Sequence, residues 1–220
     1  MDFFTSAIAS EGTSLTSFSV PDWFSSRQEV HRFSLEQIPF SKLEKWSFDP
    51  VNGNLCHESG RFFSIEGIRV KTNWGSIPEW DQPIINQPEI GFLGFIAKKI
   101  DGLLHFLVQA KMEPGNINMI QLAPTLQATR SNFTRVHQGK SPPYLEYFTC
   151  RSRARVLVDS LQSEQGARFL RKRNRNIIIE VDDEIPVYDD YRWLTLGQIL
   201  QMMSRNNIVN MDARTVISCI

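Results

Sequence analysis

Two hundred and twenty residues, 41% hydrophobic and 22% charged, make up an ordinary globular composition, long enough to bury a core without metal or disulfide. Lys plus Arg and Asp plus Glu both count 24, so the formal charge is zero, which argues against a polybasic nucleic-acid binder drawing affinity from phosphate neutralisation. No apolar run approaches the roughly 20 residues that span a bilayer, and Cys56, Cys150 and Cys219 are too scattered for a disulfide framework.

The opening residues MDFFTSAIASEGTSLTSFS have neither a basic start nor a sustained apolar stretch, so no secretory signal is expected and the reducing cytoplasm is the expected compartment. Their Ser/Thr-rich composition predicts a mobile arm over residues 1–19, followed by one module over 20–220. Val20 to about Gln37 reads as helix, with Asp22 as cap. Trp46–Asp49, a turn through Pro50–Asn54, and Leu55 onward read as a hairpin. Phe62–Thr72, broken by Gly67, then Ile90–Lys99, Leu103–Lys111 and Asn116–Leu122 read as strands, with turns at Asp101–Gly102 and Pro114–Gly115. Arg153–Arg173 reads as one long helix, Asn176–Val181 as a buried strand, and Thr195–Ser204 as a helix capped by Thr195. The sum is one α+β domain without repeats.

Some motifs fail on inspection. Gly139–Lys140–Ser141 ends like a phosphate-binding loop, but Thr134 stands where that loop needs its first glycine. His31, His57, His105 and His137 make no paired ligand spacing, so no metal site is expected. The basic run Arg168, Arg171, Lys172, Arg173 and Arg175 reads first as a solvated helix end and second as an anion site.

The informative segment is Leu103–Asn132. Alternation puts Leu104, Phe106, Val108 and Ala110 on one face, suited to a core, and His105, Leu107, Gln109 and Lys111 on the other. With a two-residue turn at Pro114–Gly115, Lys111 would face Asn118 and Glu113 would face Asn116. Two readings stay open: four functional groups converging on one patch, or an exposed hairpin face on which Lys and Glu pair with each other. Beyond it, Gln121, Thr125, Gln127, Thr129, Ser131 and Asn132 supply amides and hydroxyls fit to hold a neutral polar ligand. Trp74 and Trp80, beside Asp81 and Gln82, offer flat aromatic faces.

WDQPIINQPEIGFLG (Trp80–Gly94), HFLVQAKMEPGNINMIQLAPTLQATRSNF (His105–Phe133) and NNIVNMDARTVISC (Asn206–Cys219) together resemble the NDP-hexose 2,3-dehydratase family, over most of the chain after about residue 45. The resemblance implies a Nudix-like fold, a mixed β-sheet flanked by helices, without the Nudix catalytic helix. Members of that family carry two tandem copies of the module and this sequence has one, so a homodimer is expected to rebuild the pair. A noncatalytic nucleotide-sugar-binding module that pairs with a partner chain is the alternative.

The reaction the resemblance implies is that of a carbon–oxygen lyase of deoxysugar biosynthesis. A dTDP-4-keto-6-deoxyhexose loses its carbon-3 proton and carbon-2 hydroxyl, giving a 3,4-diketo-2,6-dideoxy sugar that a 3-ketoreductase then takes up. No cofactor, nucleic acid or membrane is implied. The expected base is His137 or Glu113, with Lys111 on the enolate and Tyr144 as acid. Trp80 is expected on the thymine and Arg130, Asn116 and Asn132 on diphosphate or sugar, with Gln109, Gln121 and Gln127 lining the pocket.

Overall fold

The computed structural model describes residues 1–11, 19–129, 141–150 and 153–220. In chain order its elements are α1 (Asp2–Ile8), α2 (Val20–Val30), β1 (Trp46–Phe48), β2 (Leu55–His57), β3 (Ser64–Lys71), β4 (Glu79–Asn86), β5 (Gly91–Ile100) and β6 (Leu103–Met112). They continue with β7 (Ile120–Ala123), β8 (Leu126–Ala128), α3 (Leu145–Thr149), β9 (Arg155–Ser163), β10 (Arg173–Glu180), β11 (Tyr191–Thr195), α4 (Leu196–Met203) and α5 (Met211–Ile217).

The architecture grows from β5 and β6. Asp101 and Gly102 between them both take positive φ, 50° and 77°, the two-residue turn whose twist matches an antiparallel pair. The strands run together from Ile100↔Leu103 to Ala97↔Phe106 and then part. Into the fork goes the segment carrying β7, which pairs with β6, and β8, which pairs with β5. At the crotch Thr125, 1% exposed, accepts the Ile96 N–H at 2.9 Å and donates to the Leu107 carbonyl. One hydroxyl thereby satisfies two backbone groups that the splitting strands would leave orphaned.

β10 lies parallel to β5, β9 antiparallel to β10, and β11 antiparallel to β6, so the order β11-β6-β5-β10-β9 makes a mixed sheet whose central strands are buried on both faces, with β9 an exposed edge. Leu104, Phe106, Val108 and Ala110 enter one core, as their alternation predicts, together with residues of α2, α4 and α5. Leu107 enters the other, under Tyr144, Tyr147 and Phe148. Gly94 permits that packing: a Cβ there would lie 2.3 Å from Phe148 Cε1. A second, four-stranded antiparallel sheet runs β1-β2-β3-β4. Its β4 is tied to the β9–β10 connection by Ile85 N–H to Arg168 O, 2.9 Å, and Leu170 N–H to Ile85 O, 2.8 Å. No helix among the described residues is long and apolar enough to cross a membrane.

The α+β class and most strands agree with the sequence reading, and the differences are physical. Instead of a mobile arm over 1–19, α1 docks on the domain: Ser6 Oγ donates to Leu104 O (2.6 Å) and accepts from Leu196 N (2.8 Å), and Phe3 stacks on Phe106. Residues 12–18 lie outside the described residues. Ser19, rather than Asp22, caps α2, which stops at Val30. β4 escapes a reading by propensity because it carries Pro83, tolerated where no ladder N–H is needed.

The long helix expected over Arg153–Arg173 is a β-hairpin, β9 and β10. β-branched Val156 and Val158 suit a strand, and Asp159 pairs with Arg175 across the ladder. The charge pattern is cross-strand and not one turn of helix apart. α4 stands as predicted, with Thr195 and Gln198 forming a reciprocal capping box.

Candidate functional site

Lys111 and Glu113 leave the end of β6 on the same side of the strand, and Lys111 Nζ donates to Glu113 Oε1 at 3.0 Å. The turn after them is longer than two residues. It runs through Met119 at φ 61°, so Lys111 faces Gln121 and not Asn118. Asn116 Nδ2 holds Met119 O at 3.2 Å, and Gln121 Nε2 holds Asn118 Oδ1 at 3.3 Å. The amides of this loop therefore brace its own backbone and each other.

β8, wedged beside β5, brings Gln127 to the same place. Its Nε2 donates to Glu113 Oε1 at 3.2 Å and also to Asp212 Oδ2, so a single amide bridges two carboxyls. Asp212 sits in the first turn of α5, whose cap, Asn210, donates from Nδ2 to Gln127 Oε1 at 3.1 Å. Burial pushes the Asp212 carboxyl up to about 6, aided by the negative charges of Glu113 and Glu164; Lys111 and the Gln127 hydrogen bond pull the other way.

Gln127 and Asp212 form one wall of a cavity of about 250 Å³, with Glu164, Lys172, Asn174 and Phe92 among the other lining residues. Lys172 is 5% exposed and donates to the Glu89 carbonyl. Burial lowers its ammonium below the usual lysine range, against the opposing pull of Glu164, Glu89 and Asp212. Asn174 Nδ2 donates to Glu164, and Asn174 Oδ1 accepts the Gly91 N–H at 3.3 Å. A Cβ on Gly91 would reach 3.0 Å from that oxygen, so a larger residue would crowd this wall. The cavity joins a carboxyl that changes protonation near neutrality to a buried cation and oriented amides. Those are the parts needed to move a proton and stabilise a developing oxyanion.

The family model described as NDP-hexose 2,3-dehydratase matches residues 18–220. The chain belongs to the NDP-hexose 2,3-dehydratase family. It is 58% identical over 198 residues to the dTDP-4-dehydro-6-deoxy-alpha-D-glucopyranose 2,3-dehydratase of Saccharopolyspora spinosa, a match covering 90% of this chain and 41% of that protein. Its identity to the like-named protein of Amycolatopsis orientalis is 49% over 220 residues, covering 98% of this chain and 47% of that protein. For Streptomyces violaceoruber the figures are 50% over 197 residues, 89% of this chain and 44% of that protein. The chain thus spans less than half the length of these curated relatives.

On this member of the 2,3-dehydratase family, the expected site residues fall into separate groups. Lys111, Glu113 and Gln127 come together, with Asn116 and Gln121 in the neighbouring loop and strand. Gln109 lies further along β6, half-buried between Tyr191 and Ala123. Trp80 is on β4 in the other sheet, where its Nε1 donates to Gln82 Oε1 at 2.8 Å. Tyr144 lies in the core on the far face of the large sheet; its hydroxyl donates to Pro186 O at 2.7 Å, and burial pushes the phenol up to about 12. His137, Arg130 and Asn132 lie outside the described residues.

Asp212, Asn210 and Glu164 are the site groups that sequence reasoning passes over, and Lys172 is one that it reads first as part of a solvated helix end. A signal for Lys172 exists once β10 is read as a strand: Lys172, Asn174 and Asn176 then share a face with Ile178, and all four are buried. Read as a helix end, the same lysine looks solvated.

Proposed function

We propose that the chain acts on a dTDP-4-keto-6-deoxyhexose as a 2,3-dehydratase, with the cavity beside Gln127 as the sugar site. A base takes the carbon-3 proton, and the electron pair passes into the enolate of the 4-ketone. Collapse of the enolate expels the carbon-2 hydroxyl, which leaves as water on accepting a proton. The resulting enol tautomerises to the 3,4-diketo-2,6-dideoxy sugar.

The observation that carries this reading is the pair of carboxyls, Glu113 and Asp212, bridged by the Gln127 amide, with Gln127 and Asp212 lining a cavity that a buried lysine also lines. Glu113 is the base, and Asp212, protonated in part near neutrality, gives the proton to the departing hydroxyl. Asp212 takes the role first expected of Tyr144, whose hydroxyl is committed to Pro186. Lys111 and Lys172 stabilise the enolate oxygen. His137 is the second choice for the base, Trp80 stacks on thymine, and Arg130, Asn116 and Asn132 serve the diphosphate or sugar. Gln121 braces the loop beside Lys111 and Glu113, and Gln109 lies further along β6; neither lines the cavity. A homodimer supplies a second copy of the module, and a 3-ketoreductase removes the product.

The test is turnover of dTDP-4-keto-6-deoxyglucose by the purified chain, with a 3-ketoreductase and its nicotinamide cofactor to trap the unstable diketone. Mass spectrometry is expected to record a 2-deoxy product that disappears in Glu113→Gln. Full turnover by Glu113→Gln removes Glu113 as base. Binding of the substrate without any product overturns the catalytic reading in favour of a binding module. Light scattering on the same sample is expected to give twice the monomer mass, and an active monomer refutes the dimer.

A further inference from the structure

The bridging amide of Gln127 works only in one orientation. With Nε2 toward Glu113 and Asp212 it donates to both; turned over, it would aim its carbonyl oxygen at two carboxyls. An ionised carboxyl of the pair can only accept and so favours Nε2 by itself, but with both carboxyls protonated nothing in the pair resists a turn of the amide.

Its orientation is settled one residue further back. Asn210 Oδ1 accepts the Ala213 backbone N–H at 2.8 Å as the cap of α5, and a backbone N–H has no alternative polarity. The Oδ1 is thereby committed, so the Asn210 Nδ2 must be the atom facing Gln127, and it donates to Oε1 at 3.1 Å. That contact leaves Gln127 Nε2 on the carboxyl side, 3.2 Å from Glu113 Oε1 and bonded to Asp212 Oδ2. Asn210 is 4% exposed, so water does not readily substitute for the contact.

We propose that Asn210 is a positioning residue: its helix-capping bond fixes the polarity of the Gln127 amide, which in turn holds Glu113 and Asp212 as a donor-bridged pair. The inference rests on the reading of this pair as the acid and base of the dehydration, although its test does not need turnover. Besides Gln127, the groups that set the charge on Asp212 are Lys111 from β6, Glu113 just beyond it and Glu164 from the β9–β10 connection, while Lys172 in the same cavity feels the charge of Asp212.

Asn210→Asp separates the two functions of the side chain. Aspartate caps a helix as well as asparagine does, so the cap survives. Its second oxygen, however, can only accept when the carboxyl is ionised, and in that state it turns the Gln127 amide so that an oxygen faces the pair. Asn210→Ser also caps but reaches no amide. The probe is the carboxyl carbon of Asp212, titrated by NMR in the whole chain, with the urea midpoint as a check on folding. The Asp212 midpoint is expected to rise by more than one pH unit in Asn210→Asp and by less in Asn210→Ser, with the urea midpoints of both close to that of the parent. A parent-like titration in Asn210→Ser overturns the proposal whatever Asn210→Asp shows, because an added carboxylate near Asp212 raises its midpoint by charge alone. If Asn210→Asp does not fold, Asn210→Ser decides alone: a raised Asp212 midpoint supports the relay and an unchanged one overturns it. A parent chain that shows no turnover refutes the dehydratase reading and leaves this titration intact.

Discussion

Replacing Asp212 with asparagine exchanges a carboxyl that the fold prefers protonated for an amide that is neutral throughout. The carboxyl is pushed from 3.8 to about 6, first by burial and then by the charges of Glu113 and Glu164. A folded-state value above the unfolded one means that the native state binds the proton more tightly. The resulting stability is present in full below the unfolded value and is lost as pH rises through the folded value. At about 1.36 kcal/mol per unit, that loss comes to about 3 kcal/mol in full, of which roughly 2.4 kcal/mol falls between pH 4 and pH 7. The Asp212→Asn variant would not suffer it, and its new amide keeps an oxygen for the Gln127 side chain. Urea unfolding of parent and variant at pH 4, 5, 6, 7 and 8 is expected to show the variant gaining on the parent by up to roughly 2.4 kcal/mol as pH rises, then levelling off. Turnover should fall in the same variant by roughly 10²-fold or more, since the proton donor is gone. A stability difference that stays constant with pH, or one that moves against the variant, refutes the assignment of burial as the cause.

Two further substitutions test how the fold holds the site. Thr125→Val keeps the shape at the fork but removes the hydroxyl that serves Ile96 and Leu107, and is expected to cost about 2–4 kcal/mol in urea unfolding. A cost under about 0.5 kcal/mol would mean that the fork closes without it. Gly197→Ala would set a Cβ 2.3 Å from the Ala9 carbonyl, pushing α1 off α4. Hydrogen exchange over residues 2–8 is expected to quicken by about tenfold or more, with the core amides of β5 and β6 slowed as before; equal protection of α1 would refute the contact.

The large sheet owes much of its form to local chemistry that is legible in the sequence. Asp101–Gly102 can only be a tight turn between two apolar runs. The alternation of β6 sorts Leu104, Phe106, Val108 and Ala110 to one core, and Thr195 with Gln198 announces the start of α4. The segments Trp80–Gly94, His105–Phe133 and Asn206–Cys219 together pointed to the family, and the run from Lys111 to Gln127 holds three of the residues that meet at the candidate site, because they lie within one strand–turn–strand stretch.

Non-local pairing decided the rest. Whether 155–163 is helix or strand depends on β10 needing an antiparallel partner, a fact absent from the segment itself. That choice carries Glu164 and Lys172 into the cavity wall. Asp212 joins the candidate site only because α5 lands on Gln127, 85 residues earlier, and its proton affinity arises from a burial and from charges that no linear spacing encodes. Sequence determined which residues turn, alternate and cap, since those preferences are set within a few bonds. Tertiary structure alone decided which carboxyls share a bridge, because desolvation and Coulomb coupling depend on distance through space.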